Sequence, residues 1–410
     1  MTTIEGIIVN NEGQTRKRVE IDDSGIITKV AEPTGEADVV FKDELIFPGF
    51  IDLHVHARED QSGTQTYKED FKTAGEASIN GGVVVFAEMP NNPIPPVDDA
   101  SYNAKKELTK KSDIEIILYA GIGSSTNPLN QNVPYKVFMG QSIGDLFFST
   151  RESLETALAK YQGKNISFHC EDPKTLNECC DADTHEHKRP PRAEILAVDY
   201  ALELIEKFNL KGRICHCSTM EGVMKVIEAK KRGLNVTVEV TPHHLYFDES
   251  MFTDSNHTLF QVNPPIRQTR ENRLYLIQAL KNGDIDCLGT DHAPHTIEEK
   301  EKGMSGLTHL DTYGSFVTWL AHEHQFAPAE IARACSENPA KFINKFTDKK
   351  YGEIKEGFVG SLTVIDMNKS IKIESENLKT KCKWSPFLGV EFPGSVVATI
   401  IKGIPYQSKA

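Results

Sequence analysis

Two histidines one residue apart, His54 and His56, close the run Ile51-Asp-Leu-His-Val-His. Side chains alternate along an extended strand, so both imidazoles point to one side while Leu53 and Val55 point to the other. Two imidazoles on one side can grip a metal ion, although a lone His-x-His is more often an ordinary surface or core pair. Ligand-type residues at the ends of other apolar runs strengthen the pattern. Lys136 lies in Tyr-Lys-Val-Phe-Met-Gly, His169 in Phe-His-Cys-Glu-Asp, His216 in Cys-His-Cys-Ser-Thr and Asp291 in Gly-Thr-Asp-His-Ala-Pro-His. Four histidines, an aspartate and a lysine gathered in one place make a nitrogen-and-oxygen donor set suited to zinc. A metal held there would lower the pKa of bound water and make a nucleophile at neutral pH.

Distant residues meet only if the chain brings them together, and the texture of the sequence says how. Eight apolar, strand-like runs follow one another: Phe50–Ala57, Gly82–Asn91, Ile114–Ile122, Tyr135–Gly140, Ile166–Asp172, Arg213–Thr219, Val236–Thr241 and Ile285–His292. Charged segments with helical apolar spacing lie between them, Arg192–Phe208 being the clearest. Alternating strand and helix implies a parallel sheet covered by helices. Eight such units over roughly 300 residues fit a (β/α)8 TIM-type barrel, whose chemistry sits at the C-terminal ends of the strands. A doubly wound open sheet is the alternative, but no Gly-rich phosphate loop follows the first strand. Residues 4–47 and 352–410 read instead as short strands separated by polar turns. The α/β chain is therefore expected to hold a barrel over 48–351 and a small β-sandwich domain built from 1–47 plus 352–410.

Bulk composition narrows the function class. The net charge of −13 disfavours a nucleic-acid surface, which needs clustered positive charge. An anionic small molecule needs only one or two local cations and stays open. The longest apolar run, Val83–Ala87, is too short to span a bilayer, and Met-Thr-Thr-Ile-Glu has no signal-peptide character. Eight scattered cysteines without framework spacing read as reduced thiols. A cytoplasmic protein is expected.

The string Pro48-Gly-Phe-Ile-Asp-Leu-His-Val-His-Ala-Arg-Glu resembles the opening motif of the dihydroorotase branch of the amidohydrolase superfamily. Met89-Pro-Asn91, Lys136-Val-Phe-Met-Gly, His169-Cys-Glu-Asp, Pro242-His-His-Leu, Asn263-Pro-Pro-Ile-Arg, Thr290-Asp-His-Ala-Pro-His295 and Trp384-Ser-Pro-Phe follow in family order. The resemblance spans nearly the whole chain. It implies two zinc ions, one held by His54, His56 and Asp291, the other by His169 and His216. Lys136 would bridge both as a carbamate, since a free ammonium has only donors whereas the carbamate offers two acceptor oxygens. Asp291 would be the catalytic acid and base. Arg58, Asn91 and His295 would recognise a substrate carboxylate, and Asn263 would touch the ring. The implied reaction is reversible cyclisation of N-carbamoyl-L-aspartate to L-dihydroorotate in pyrimidine biosynthesis, in an enzyme that is a homodimer in the family. Hydantoinase, dihydropyrimidinase or allantoinase activity is the nearest alternative, because these enzymes share the metal donors. An inactive scaffold for aspartate transcarbamoylase is the alternative outside enzymes.

Other residues attract blander readings. Strand alternation turns Cys215 and Cys217 away from His216, as apolar fillers between barrel and helices, and Cys179-Cys180 look inert. His243 and His244 suit packing or support rather than ligation, and Asn92 suits a turn before Pro93. Asp181–Arg192 reads as a solvated loop placed to line the entrance. Lys300–Asp311 departs from the family pattern, keeping only Gly306-Leu307 of a Gly-Phe-Pro-Gly-Leu-Glu-Thr-like run.

Overall fold

The computed structural model describes residues 1–10, 13–140, 146–253, 256–267 and 269–407. Its centre is a ring of parallel strands. Phe50–Val55 pairs with Val83–Glu88, which pairs with Glu115–Leu118. The third strand breaks at Tyr119 and resumes as Ala120–Gly121, pairing with Tyr135–Phe138. Asn165–His169, Lys211–Ile214, Val236–Val240 and Cys287–Leu288 complete the series, each parallel to the last. Strands such as Phe50–Val55 and Val83–Glu88 are buried at every position, as expected when helices cover the outer face and side chains fill the inner one.

The ring closes between the first and eighth strands. The bridge Val55–His292 is parallel, and His56 N–H donates to the His292 carbonyl at 2.7 Å. Below it, the Asp52 carboxylate accepts from Thr290 N–H at 3.0 Å, Thr290 Oγ1 at 2.5 Å and His54 N–H at 3.0 Å. This clasp sits directly before Asp291. The eighth strand ladders over two residues only, shorter than the apolar run Ile285–His292 indicates, because Thr290 turns to Asp52 and Asp291 takes a left-handed φ of 49°.

Helices Phe71–Asn80, Asp99–Leu108, Arg151–Leu158, Pro191–Lys207, Met220–Lys231, Arg270–Asn282 and Tyr313–His324 wrap the ring. Asp70, Asp98, Thr150, Thr219 and Thr269 each cap a first turn by accepting from the N3 backbone N–H or its neighbour. Such caps contribute about 1 kcal/mol apiece.

The two terminal segments form one seven-stranded sheet, in the order 404–407, 395–401, 362–366, 39–48, 2–10, 13–21, 27–31. Ile4, Ile8, Val19, Ile46, Leu362 and Val364 belong to its own buried cluster. Strand Val39–Pro48 runs straight into the first barrel strand through Gly49, where a Cβ would lie 2.8 Å from the Ser361 carbonyl. Only glycine permits that approach.

Asp52→Ala removes the shared acceptor of three buried donors. It is expected to lower the unfolding free energy by about 2–4 kcal/mol, read from urea unfolding. A change of about 0.5 kcal/mol or less, typical of surface positions, would show that barrel closure does not need the clasp.

Candidate functional site

Every donor but Lys136 sits at or just past the end of a strand, and Lys136 is the second residue of the strand Tyr135–Phe138. His54 and His56 come from the first strand, Lys136 from the fourth, His169 closes the fifth, and His216 and Asp291 follow the sixth and eighth. Arg58, His216 and Asp291 have φ of 62°, 34° and 49°. Non-glycine residues adopt this region only when their surroundings over-determine it, so backbone strain gathers here.

One nitrogen of His54, of His56 and of His169 is pinned. His54 Nδ1 lies 2.8 Å from Glu239 Oε1, and His56 Nδ1 lies 2.7 Å from Asn91 Oδ1. Their Nε2 atoms both face Asp291 Oδ1 at 3.2 Å. On the other side, His169 Nε2 lies 2.9 Å from Glu171 Oε2, and its Nδ1 lies 3.0 Å from His216 Nε2. Donor atoms of His54, His216 and Asp291 all fall within 4.8 Å of one another. Burial drives His54, His56 and His216 well below the usual imidazole range, so they stand neutral with lone pairs available. Burial also raises Asp291 to about 7, although Lys136 opposes it. Burial alone would raise Glu171 too, but Arg189 and the His169 contact outweigh it and hold that carboxyl at about 2. Neutral imidazoles fixed by carboxylate or amide partners, with a carboxylate between them, match what a bound divalent cation requires.

Lys136 is wholly buried, and among the described residues no carboxylate lies within ion-pair reach. Its Nζ lies 3.0 Å from Cys215 Sγ. This corrects the expectation for Cys215: the strand ends at Ile214 and His216 adopts positive φ, so alternation fails and the thiol faces the barrel interior. Cys217 does turn outward, its Sγ 3.5 Å from Glu194 Oε1 of the helix Pro191–Lys207.

The donors open into a small cavity of about 40 Å³ that Arg58, Asn91, Asn263 and Gly306 also line. Arg58 donates through Nε to the Pro294 carbonyl at 3.2 Å, and its Nη2 lies 3.1 Å from His295 Nε2. His295 itself is buried behind Arg58 rather than lining the cavity. Asn263 Oδ1 is buried with no hydrogen-bond partner among the described residues. Asn92, expected in a turn, is also buried and accepts from Lys105 Nζ. Arg189, in the loop expected to be solvated, reaches inward to Glu171. His244 Nε2 meets the Pro264 carbonyl at 3.1 Å, and His243 pairs with His309 at 3.0 Å.

Sequence reasoning missed the support beneath the donors. Arg213 spans the barrel interior, donating to Ser167 Oγ at 3.1 Å, Tyr119 Oη at 2.7 Å, the Leu53 carbonyl at 3.0 Å and the Glu239 carboxylate. A Cβ on Gly289 would lie 2.5 Å from that carboxylate, so glycine makes room for it. The available signal was a charge inside an apolar strand: Arg213 in Gly-Arg-Ile and Glu239 in Val-Thr-Val-Glu-Val.

The amidohydrolase family profile matches residues 45–128 and 146–404. The chain belongs to the amidohydrolase family. Proteins named dihydroorotase resemble this amidohydrolase along most of its length. That of Thermococcus kodakarensis is 34% identical, with 93% of this chain and 88% of the relative covered. That of Staphylococcus aureus is 28% identical, with 98% of each covered. Among solved structures, L-hydantoinase (dihydropyrimidinase) from Arthrobacter aurescens superposes with a TM-score of 0.89 at 22% identity, covering 100% of this chain and 97% of that one. Dihydropyrimidinase from Brevibacillus agri gives 0.87 at 21%, covering 100% and 95%. This amidohydrolase is thus a hydrolase on a TIM-type barrel with a separate β-rich sheet. Among the described residues, no helix is long and apolar enough to cross a membrane.

Metal-free protein supplies a test of the donor set. Asp291 ordinarily titrates near 3.8 and here near 7. Stability tied to its retained proton is complete below 3.8 and is lost as pH rises through 7. A cation competes with that proton. Added Zn2+ should therefore raise Tm more at about pH 8 than at about pH 5.5, and a gain independent of pH would argue against Asp291 as a ligand.

Proposed function

We propose that this amidohydrolase is a dihydroorotase, interconverting L-dihydroorotate and N-carbamoyl-L-aspartate in pyrimidine biosynthesis. The observation carrying the reading is the cavity wall: donors for a carboxylate at Arg58 and Asn91, and an unpartnered acceptor at Asn263, share one cavity with Asp291. The similarity to dihydroorotases supports it.

The chemistry of the wall follows from what its groups already hold. Asn91 spends its carbonyl on His56, leaving its amide N–H groups for an anion. Arg58 spends Nε on Pro294 and part of Nη2 on His295, leaving N–H groups of its fork free. His295 acts through Arg58, fixing the guanidinium. A buried acceptor without a partner costs about 1–3 kcal/mol, which a ring N–H donating to Asn263 Oδ1 would recover. A ring bearing both a carboxylate and an N–H satisfies all three residues; a ring without the carboxylate leaves Arg58 unpaired.

We assign His54, His56 and Asp291 to one divalent cation and His169 and His216 to a second, with zinc as the ion suited to these donors. Lys136 would join both as a carbamate; a buried ammonium without a carboxylate partner is costly, which favours that form. Cations held here supply Lewis acidity, lowering the pKa of water and polarising the ring carbonyl. Asp291 takes the proton released by the attacking water and delivers it to the departing ring nitrogen. In the synthetic direction Asp291 reverses those transfers.

Purified enzyme is expected to interconvert dihydroorotate and N-carbamoyl-L-aspartate. Turnover of hydantoin or dihydrouracil alone would overturn the assignment. Asp291→Ala should stay folded and lose catalysis by orders of magnitude, measured as kcat. Arg58→Met should cut kcat/KM by roughly 30-fold or more, mostly through KM.

A further inference from the structure

The short helix Ile297–Glu301 follows the eighth strand at the cavity rim, and its last two residues begin the segment Lys300–Asp311 that departs from the family pattern. Two adjacent residues of this helix bond to different parts of the rim. Glu299 Oε1 accepts from Tyr67 Oη at 2.6 Å and Lys68 Nζ at 3.0 Å, while Oε2 lies 3.1 Å from His295 Nδ1. His295 Nε2 in turn meets Arg58. With Nδ1–H donated to Glu299, Nε2 carries the lone pair that Arg58 needs as acceptor.

Lys300 is wholly buried, and among the described residues no carboxylate reaches it. Its Nζ donates to the Gln261 carbonyl at 2.8 Å and the Met304 carbonyl at 2.6 Å. The same Gln261 carbonyl accepts from Gly306 N–H at 2.9 Å. One segment continues into Val262 and Asn263, the other into Ser305 and Gly306, and all four residues line the cavity. Burial pushes the Lys300 ammonium down to about 7. Deprotonated, the amine still has two N–H groups for the two carbonyls, so the tie does not depend on its charge.

We infer that the helix 297–301 sets substrate specificity through two positioning residues, Glu299 holding the carboxylate-recognising Arg58 and Lys300 holding the ring-recognising Asn263 segment against the 303–306 loop. Neither residue touches reacting atoms. The inference rests on the dihydroorotase reading for the identity of the substrate, but not for the mechanical tie.

The test combines kinetics with hydrogen exchange on full-length, metal-loaded protein. Lys300→Met should raise KM for L-dihydroorotate about tenfold while kcat stays within about twofold, since it removes binding geometry rather than chemistry. Lys300→Arg, which keeps the donors, should recover most of the loss. Glu299→Gln should also raise KM. Independently of any substrate, Lys300→Met should speed amide exchange in peptides covering 258–265 and 303–308, with peptides around His54 and zinc content unchanged. Should Lys300→Met fail to fold, Lys300→Gln carries the same expectations at smaller size. Unchanged exchange at both segments, or a kcat loss at constant KM, overturns the inference. Wild-type enzyme inactive on dihydroorotate but with exchange altered as stated would sink the substrate reading and leave the tie standing.

Discussion

Everything at the mouth of this barrel depends on one constraint: imidazoles and a carboxylate are taken out of water together, and among the described residues no lysine or arginine makes an ion pair with that carboxylate. Isolated, such a set would be unstable, because each buried polar atom needs a partner. The chain meets the need by pinning one nitrogen of His54, His56 and His169 to Glu239, Asn91 and Glu171. Pinning fixes both ring orientation and tautomer, and it directs the remaining nitrogens at Asp291 and at one another. Burial then keeps His54, His56 and His216 neutral. A site assembled in this way offers oriented imidazole nitrogens before anything binds, and a divalent cation has only the Asp291 proton to displace.

That arrangement could not stand on strands alone. A regular ladder alternates its side chains, and alternation would send Asp291 or His216 the wrong way relative to its neighbours. Positive φ at both residues breaks the alternation. The cost is carried by the layer beneath, where Arg213, Glu239, Tyr119 and Ser167 form a bonded plug across the barrel interior. Removing one partner of such a buried pair typically costs about 3–5 kcal/mol, because the other charge is stranded. The plug thereby ties fold and site together: Glu239 neutralises Arg213 and orients His54 with the same carboxylate.

Much of this was legible beforehand, and what was not has a physical cause. Alternating apolar runs and helical segments are local signals, so the eight strands and their parallel order could be read. Ligand-type residues at strand ends stood out because chemistry sits there in this architecture. Cys215 was misread because its direction depends on the φ of His216, a tertiary property that strand periodicity does not encode. Lys68, Glu171 and Glu299 were invisible as support, since in sequence each is an ordinary charged residue near a loop. Their roles arise from partners far away in the chain, such as Glu299 for Lys68 at 3.0 Å. The short eighth strand follows the same rule: its backbone leaves the ladder to serve Asp52.

Fold and chemistry therefore answer different questions in this molecule. A barrel that superposes on L-hydantoinase (dihydropyrimidinase) from Arthrobacter aurescens with a TM-score of 0.89 at 22% identity shares an architecture with it. On the proposed reading, discrimination between ring substrates comes from groups that the architecture leaves free. Those groups sit on the loops after the first, second, seventh and eighth strands, where Arg58, Asn91, Asn263 and His295 are found. Loops are soft, and recognition of a carboxylate needs donors held to within a fraction of an ångström. Lys68, Glu299 and Lys300 resolve the conflict by bonding those loops to one another, so the rim gains rigidity that its backbone alone lacks. On the proposed reading, substrate choice in this amidohydrolase rests on the network that stiffens the wall facing the buried donors as well as on the donors themselves.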